Sequence, residues 1–277
     1  MEPRLQRRVQ RYGWDLAAEH YDRLWQDPLA PARDEVLRQA AVQRGQHVLD
    51  MASGTGLLAM HAARVAGPSG RVVAADISER MLAAARLQAH ALNLNQIEFV
   101  RTEAEAPALD AVSFDVVLCS LGLMYLPDPL RALVAMRRLL RPQGRLVCAV
   151  WGERQHCGWA TLFPIVDEEV ASDVCPLFFA LGQGRALARL CEQAGLEVRA
   201  ERRFDSELTY RNDDDACDAA FCGGPVAMAW SRFDAATRAR VRSRYLDSLE
   251  RWRVAEGYRV PAEFVVVSAA QAQPATA

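Results

Sequence analysis

The run Val48-Leu49-Asp50-Met51-Ala52-Ser53-Gly54-Thr55-Gly56-Leu57-Leu58-Ala59 decides how this chain folds. A short apolar segment beginning at His47 ends at an acid, passes through small residues and two glycines, and enters an Ala/Leu-rich stretch that reaches Ala66. That order reads as strand, tight loop and helix, the glycines letting backbone come close to a ligand. Working outward, Gly67-Pro68-Ser69-Gly70 is a turn and Arg71 to Asp76 a second strand. Ser78 can cap a helix from Glu79 to about Leu92, with Met81, Leu82, Ala85 and Ala89 near one face. Ile97 to Arg101, Phe114 to Cys119 and Arg145 to Trp151 supply three more strands, and Pro127 to Leu140 is helical between the last two.

The flanks differ in rhythm. Residues 1–45 read as a helical cap with Tyr12, Trp14, Leu16, Tyr21, Leu24 and Trp25, broken by Pro28 and Pro31. After Trp151, residues 152–182 are too apolar for a solvated linker, and a helix over 185–194 stops at Gly195. Leu196 to Phe204 forms a sixth strand, residues 207–258 are helix-rich and Arg-rich, and Ala262 to Ser268 is the final strand before a frayed tail, 269–277. Strands alternating with helices predict the α/β class, a doubly wound, Rossmann-like sheet of seven strands, parallel and covered on both faces. The organisation is a cap over 1–45, a ligand-binding core over 46–151, and remaining strands with helical lid insertions over 152–277.

All 33 basic residues are Arg, and no Lys occurs. This excludes Schiff-base and PLP lysines, the P-loop lysine and the Tyr-x-x-x-Lys dehydrogenase pair. A formal net charge of −2 gives no global field to hold nucleic acid. Seven cysteines, an odd count without a C-x-x-C pair, suit reduced thiols in the cytoplasm. Arg4, Arg7, Arg8 and Arg11 precede no apolar h-region, so they do not make a secretory signal, and no apolar run is long enough for a membrane span.

Gly54 to Ala59 satisfies G-x-G-x-x-A, and Asp76 stands 20 residues beyond Gly56, the spacing of a dinucleotide fingerprint. An acid ending the second strand can accept both ribose hydroxyls of any such cofactor, so an NAD(P)-dependent oxidoreductase fits the spacing too. Asp50 argues otherwise, because an anion four residues ahead of Gly54 repels a pyrophosphate and attracts a cation. The missing lysine also counts against a short-chain dehydrogenase.

The same run resembles motif I of the class I S-adenosylmethionine-dependent methyltransferases, in the group similar to quinone-biosynthesis C-methyltransferases. Ala75-Asp76-Ile77-Ser78 with Met81, Glu103-Ala104-Glu105, Phe114-Asp115-Val116-Val117 and Leu139-Leu140-Arg141-Pro142-Gln143-Gly144 resemble the later motifs in family order, over roughly 45–151. The resemblance implies S-adenosylmethionine as cofactor, with Asp50 facing the methionine ammonium and Ala52, Ser53, Gly54 and Gly56 along the methionyl and ribose portion. It implies Asp76 on the ribose hydroxyls, Ile77 and Met81 at adenine, Glu103 and Ala104 near the adenine amino group, and Ser120 and Leu121 at the methionyl end. Tyr21-Asp22 resembles an N-terminal element that closes over cofactor. Ala52 stands where the family has glycine, Glu103 where it has Asp, and Gln143 where it has glycine. Each residue also has a plain alternative: Asp50 or Ser78 as a cap, Ile77 and Met81 as core, and Tyr21 as packing.

The expected activity is methyl transfer to a small apolar or aromatic metabolite; a non-catalytic binding or sensor protein is the other reading. Phe163, Leu177, Phe178, Phe179, Met228, Trp230 and Phe233 are candidates for an apolar lid, or equally for the core of the cap. Tyr125 and His156 are polar groups near the expected cleft, but no catalytic residue is assigned. His156 beside Cys157 lacks the spaced partners of a metal site. Arg238, Arg240, Arg242 and Arg244 spread around a helix as a solvated face, which does not suit a nucleic-acid stripe.

Overall fold

The computed structural model describes residues 3–170 and 178–271. Its first half runs α1 (Pro3–Trp25), α2 (Ala30–Ala40), β1 (His47–Met51), α3 (Leu57–Ala66), β2 (Arg71–Asp76), α4 (Glu79–Ala91), β3 (Ile97–Arg101) and β4 (Phe114–Ser120). The second runs α5 (Pro129–Leu139), β5 (Leu140–Trp151), α6 (Leu162–Val170), α7 (Ala186–Gln193), β6 (Leu196–Tyr210), α8 (Asp213–Phe221), α9 (Ala227–Arg232), α10 (Ala235–Leu249) and β7 (Tyr258–Gln271). Pro28 lies between α1 and α2 as expected, whereas Pro31 starts α2 instead of breaking it, since the first helical turn has no use for its missing N–H. Ser78 caps α4 by accepting the Met81 amide.

The seven strands lie in the order β3-β2-β1-β4-β5-β7-β6. Neighbours among β1 to β5 are parallel, but β7 is antiparallel to both β5 and β6. The parallel sheet expected from the alternation up to Trp151 therefore holds for β1 to β5, and the antiparallel last strand adds to it. Tyr210 at the end of β6 pairs with Tyr258 at the start of β7, so the excursion 211–257 returns the chain to the point it left, and the next strand must run backwards. β7 also continues past the expected boundary: Ala269 pairs with Leu146 and Val198, and Gln271 with Leu196, which puts the first three residues of the supposed tail inside the sheet. The remaining residues, 272–277, lie outside the described residues.

Alternate side chains bury against opposite layers, as a sheet covered on both faces requires. Val48, Val72, Ala74, Val116 and Val147 join one core with residues of α2 and α3. Leu49, Met51, Val73, Val117, Cys148 and Val150 join the other with α5, α7 and the cap. β2 and β4 flank β1 on opposite sides, so the loops after β1 and β4 diverge and leave a crevice at their carboxyl ends. α1 packs on α4, α8 and α9. Among the described residues, no helix is long and apolar enough to cross a membrane.

Candidate functional site

Past Met51 the backbone turns through Ala52 (φ 57°), Gly54 (φ 55°) and Gly56 (φ 78°) into α3. A left-handed alanine costs about 1 kcal/mol, a strain typical of binding loops. Gly122 makes room for it, because a Cβ there would lie 2.5 Å from the Ala52 methyl. Gly56 packs on α4, where an added Cβ would meet the Ala85 methyl at 3.0 Å, whereas nothing lies within 4 Å of a Cβ built on Gly54. Gly56 serves packing, and Gly54 leaves open space beside the cleft.

Asp76 ties the two loops together: its Oδ2 accepts the Gly54 amide and its Oδ1 the Ser78 amide, both at 2.8 Å. Burial raises its pKa, against the lowering pull of the amides of Ser78, Gly54 and Ile77. Asp50 is 1% exposed and its Oδ2 has no hydrogen-bond partner, nor has the buried Ser53 hydroxyl. Burial pushes the Asp50 carboxyl up to about 8, against a backbone bond from Ala59 and with a further rise from the Asp76 charge. A buried acid with a free oxygen is a site that waits for a cation or a donor.

α1 covers these loops. Asp22 accepts the Thr55 hydroxyl from the glycine loop and the Gln88 amide from α4, and Asp15 accepts the Ser78 hydroxyl. Arg7 lies 3.4 Å from Glu103 and from Glu105, the latter buried. Tyr21 is half-buried, and burial raises its phenol pKa, with added push from Asp22, Asp76 and Asp50.

Between α1 and the strand ends lies a cleft of about 1020 Å³, its open mouth included. Of the residues picked from sequence, Tyr21, Ala52, Gly54, Asp76, Ile77, Met81, Glu103, Ala104, Ser120 and Leu121 line it; Asp50, Ser53 and Gly56 stand behind the wall. Tyr125 lines it too, edge-on to Trp14 at 5.0 Å. The inner end is walled by Trp25, Trp151 and Trp159, with ring centroids 6.3, 6.3 and 4.8 Å apart. Leu29 and Gly223-Gly224-Pro225 complete that end.

The tryptophans were not singled out as site residues in the sequence, although Trp14, Tyr21 and Trp25 on α1 repeat at helical spacing and Trp151 ends a strand. The expected lid residues fare differently. Phe163, Phe178 and Phe179 are buried in the core behind Trp159, and Trp230 stacks on Phe221 at 4.5 Å; none of these lines the cleft, nor do Met228 and Phe233. Leu177 lies outside the described residues. His156 is committed to Glu263, Nδ1 to Oε1 at 2.8 Å, and does not line the cleft. Arg240, Arg242 and Arg244 pair with Glu169, Asp214 and Glu168, which ties α10 to α6 and α8.

The residues present fit a cationic, ribose-bearing ligand: a paired acid at the end of β2, an orphaned buried acid at the end of β1, and a glycine opening between them. A family model described as the ubiE/COQ5 methyltransferase family matches residues 21–163. The ubiquinone/menaquinone biosynthesis C-methyltransferase UbiE of Pseudoalteromonas translucida is 34% identical over 143 residues, 51% of this chain and 54% of that relative. The UbiE of Hahella chejuensis is 41% identical over 135 residues, 48% of this chain and 51% of its own length. The chain thus spans about half the length of these curated relatives. A crystal structure of a candidate methyltransferase from Bacillus halodurans superimposes with a TM-score of 0.62 at 18% identity, over 88% of this chain and 100% of that one, and so shares the fold.

Proposed function

We propose, for a chain that belongs to the ubiE/COQ5 methyltransferase family, that it transfers the methyl group of S-adenosylmethionine to a small apolar or aromatic acceptor. The observation that carries this reading is the pair of buried acids across the glycine loop, Asp76 holding both loops and Asp50 with an unpartnered oxygen. Asp76 takes the ribose hydroxyls, and Asp50, reached directly or through water, balances the methionine ammonium. Gly54 lets backbone approach, with Ala52 and Ser53 beside it and Gly56 setting the loop against α4. Ile77 and Met81 pack on adenine, Glu103 and Ala104 edge it, and Ser120 and Leu121 border the methionyl end. Tyr21 closes the cleft from α1.

The cofactor supplies a sulfonium-activated methyl group. The chain supplies alignment and a dry site, and the tryptophan end of the cleft suits a flat, apolar acceptor placed in line with that methyl. The relatives are named for C-methylation in ubiquinone and menaquinone biosynthesis, and a quinone-type ring is one acceptor of this class. With His156 held by Glu263, the acceptor must be nucleophilic without that imidazole.

The test is calorimetry with S-adenosylhomocysteine, which binds the parent and binds Asp76→Ala at least tenfold more weakly, followed by a labelled-donor screen of phenols, quinones, amines and thiols. No binding to the parent overturns the reading. Binding without transfer to any acceptor favours a sensor, and a response to NADH titration in its place favours an oxidoreductase.

A further inference from the structure

We propose that the outward face of α1 docks on an anionic lipid bilayer, with arginines at the headgroups and a short apolar stripe in the interface. The proposal does not rest on methyl transfer. Residues 3–11 read Pro-Arg-Leu-Gln-Arg-Arg-Val-Gln-Arg, four positive charges without an acid, in a chain whose formal net charge is −2. Among the described residues, Arg4, Arg8 and Arg101 make no ion pair. Together with Arg7 and Arg11 they surround a groove that adjoins the cleft and shares Ile77, Thr102 and Glu103 with it.

The second observation is apolar. Leu5, Tyr12 and Leu16 are 39%, 47% and 42% exposed, three of the few large hydrophobic side chains left in water. At about 100° per residue they fall within an arc of about 40°, with Arg8 about 40° and Arg4 about 80° beyond its edge on one side, and they are turned away from Trp14 and Tyr21, which line the cleft. Glu19, exposed on the same side, marks where the face ends.

Charge and apolarity together select the occupant. A soluble phosphate or a nucleic acid would engage the arginines and leave the Leu5-Tyr12-Leu16 stripe in water. A bilayer with anionic headgroups satisfies both, the stripe entering the headgroup boundary while guanidinium groups meet phosphates. Three apolar residues make this contact weak and reversible.

The full chain is sedimented with vesicles of phosphatidylcholine, alone or with about one-third phosphatidylglycerol. Binding is expected only to the mixed vesicles and is lost as salt is raised from about 0.1 to about 1 M. The double substitution Arg4→Gln/Arg8→Gln lowers partitioning roughly 25-fold, about fivefold for each arginine. Leu5→Ser/Leu16→Ser also lowers it, and parental circular dichroism shows that both variants remain folded. Equal binding to neutral vesicles, indifference to both double variants, or arginine-dependent binding of glycerol phosphate or polyglutamate with no vesicle partitioning would each overturn the proposal.

Discussion

Asp15 of α1 accepts a 2.6 Å hydrogen bond from the Ser78 hydroxyl, which itself accepts the Met81 amide at 3.1 Å. One serine thus caps α4 and tethers the covering helix to the loop after β2. Asp22, two turns further along α1, repeats the device on Thr55 of the glycine loop. We expect Asp15→Ala to cost about 1 kcal/mol of stability, the worth of one such bond. We also expect it to weaken S-adenosylhomocysteine binding several-fold, because α1 then opens more readily. Thermal melts with and without ligand measure both; an unchanged ligand-induced shift would mean that α1 does not hold the cofactor in place.

If Asp50 meets the cofactor's cation as proposed, cofactor affinity should carry a pH slope. With its carboxyl at about 8 in the free protein, it is largely protonated at neutral pH. A bound cation favours the carboxylate, so binding expels a proton and affinity climbs with pH until about 8. Calorimetry in buffers of unlike ionisation enthalpy reads that proton directly, and a heat independent of buffer would remove Asp50 from this role.

Folding stability follows the opposite sign at the same residue. A native pKa above the unfolded value means that the folded state holds the proton more tightly, so stability from this group is full in acid and declines as pH rises from about 4 toward about 8. Asp50→Asn should raise the neutral-pH Tm of the free protein, by about 2–4 °C for each kcal/mol relieved, while weakening ligand binding. A lower Tm would contradict it.

The strand-loop-helix rhythm from His47 to Arg101 is plain in sequence because each strand is a short apolar run bounded by a turn or a capping residue. The direction of β7 is not, since nothing local in Tyr258–Gln271 records that 211–257 closes on itself. The acids and glycines of the site were recognisable from spacing along one segment. Its inner wall was not, because Trp25, Trp151 and Trp159 come from a helix end, a strand end and a later turn that only tertiary packing assembles. Of the expected lid aromatics, Phe163, Phe178 and Phe179 support that wall from behind: apolarity alone does not tell a lining ring from the ring beneath it.

Ala52 offers a gain in stability. Its φ of 57° suits glycine, so Ala52→Gly should relieve strain and stabilise the fold by up to about 1 kcal/mol, less the entropy glycine adds to the unfolded chain. Chemical denaturation reads the change, and a loss of stability beyond the error of extrapolation would show that the methyl contributes more by packing than its strain costs.

Glu263 on β7 anchors the loop after β5, accepting from the Glu153 amide, His156 and Arg203 while Arg203 also reaches the carbonyls of Gly182 and Gly184. Burial by itself would raise the carboxyl pKa, but these three donors outweigh it and hold it below the usual value. Its stabilisation is therefore complete above the unfolded pKa and lost as pH falls into the acid range. Glu263→Gln should cost about 3 kcal/mol and flatten the acid limb of the stability curve. An acid limb identical to the parent's would rule Glu263 out as its source.

The backward run of β7 has a kinetic side. Arg145 of β5 pairs with Ala270, so β7 joins the sheet only across a separation of 125 positions, and β6 has no place until β7 fills the gap. During synthesis β1 to β5 can assemble early, while the edge of β5 stays bare until residues 258–271 have been made. Such long-range pairing is slow, and an unpaired edge invites aggregation while it lasts. Because Glu263 rides on that strand and fixes the loop beside Trp151, the aromatic end of the cleft takes shape last, and the nascent chain can hold its glycine loop before the cleft has its inner wall.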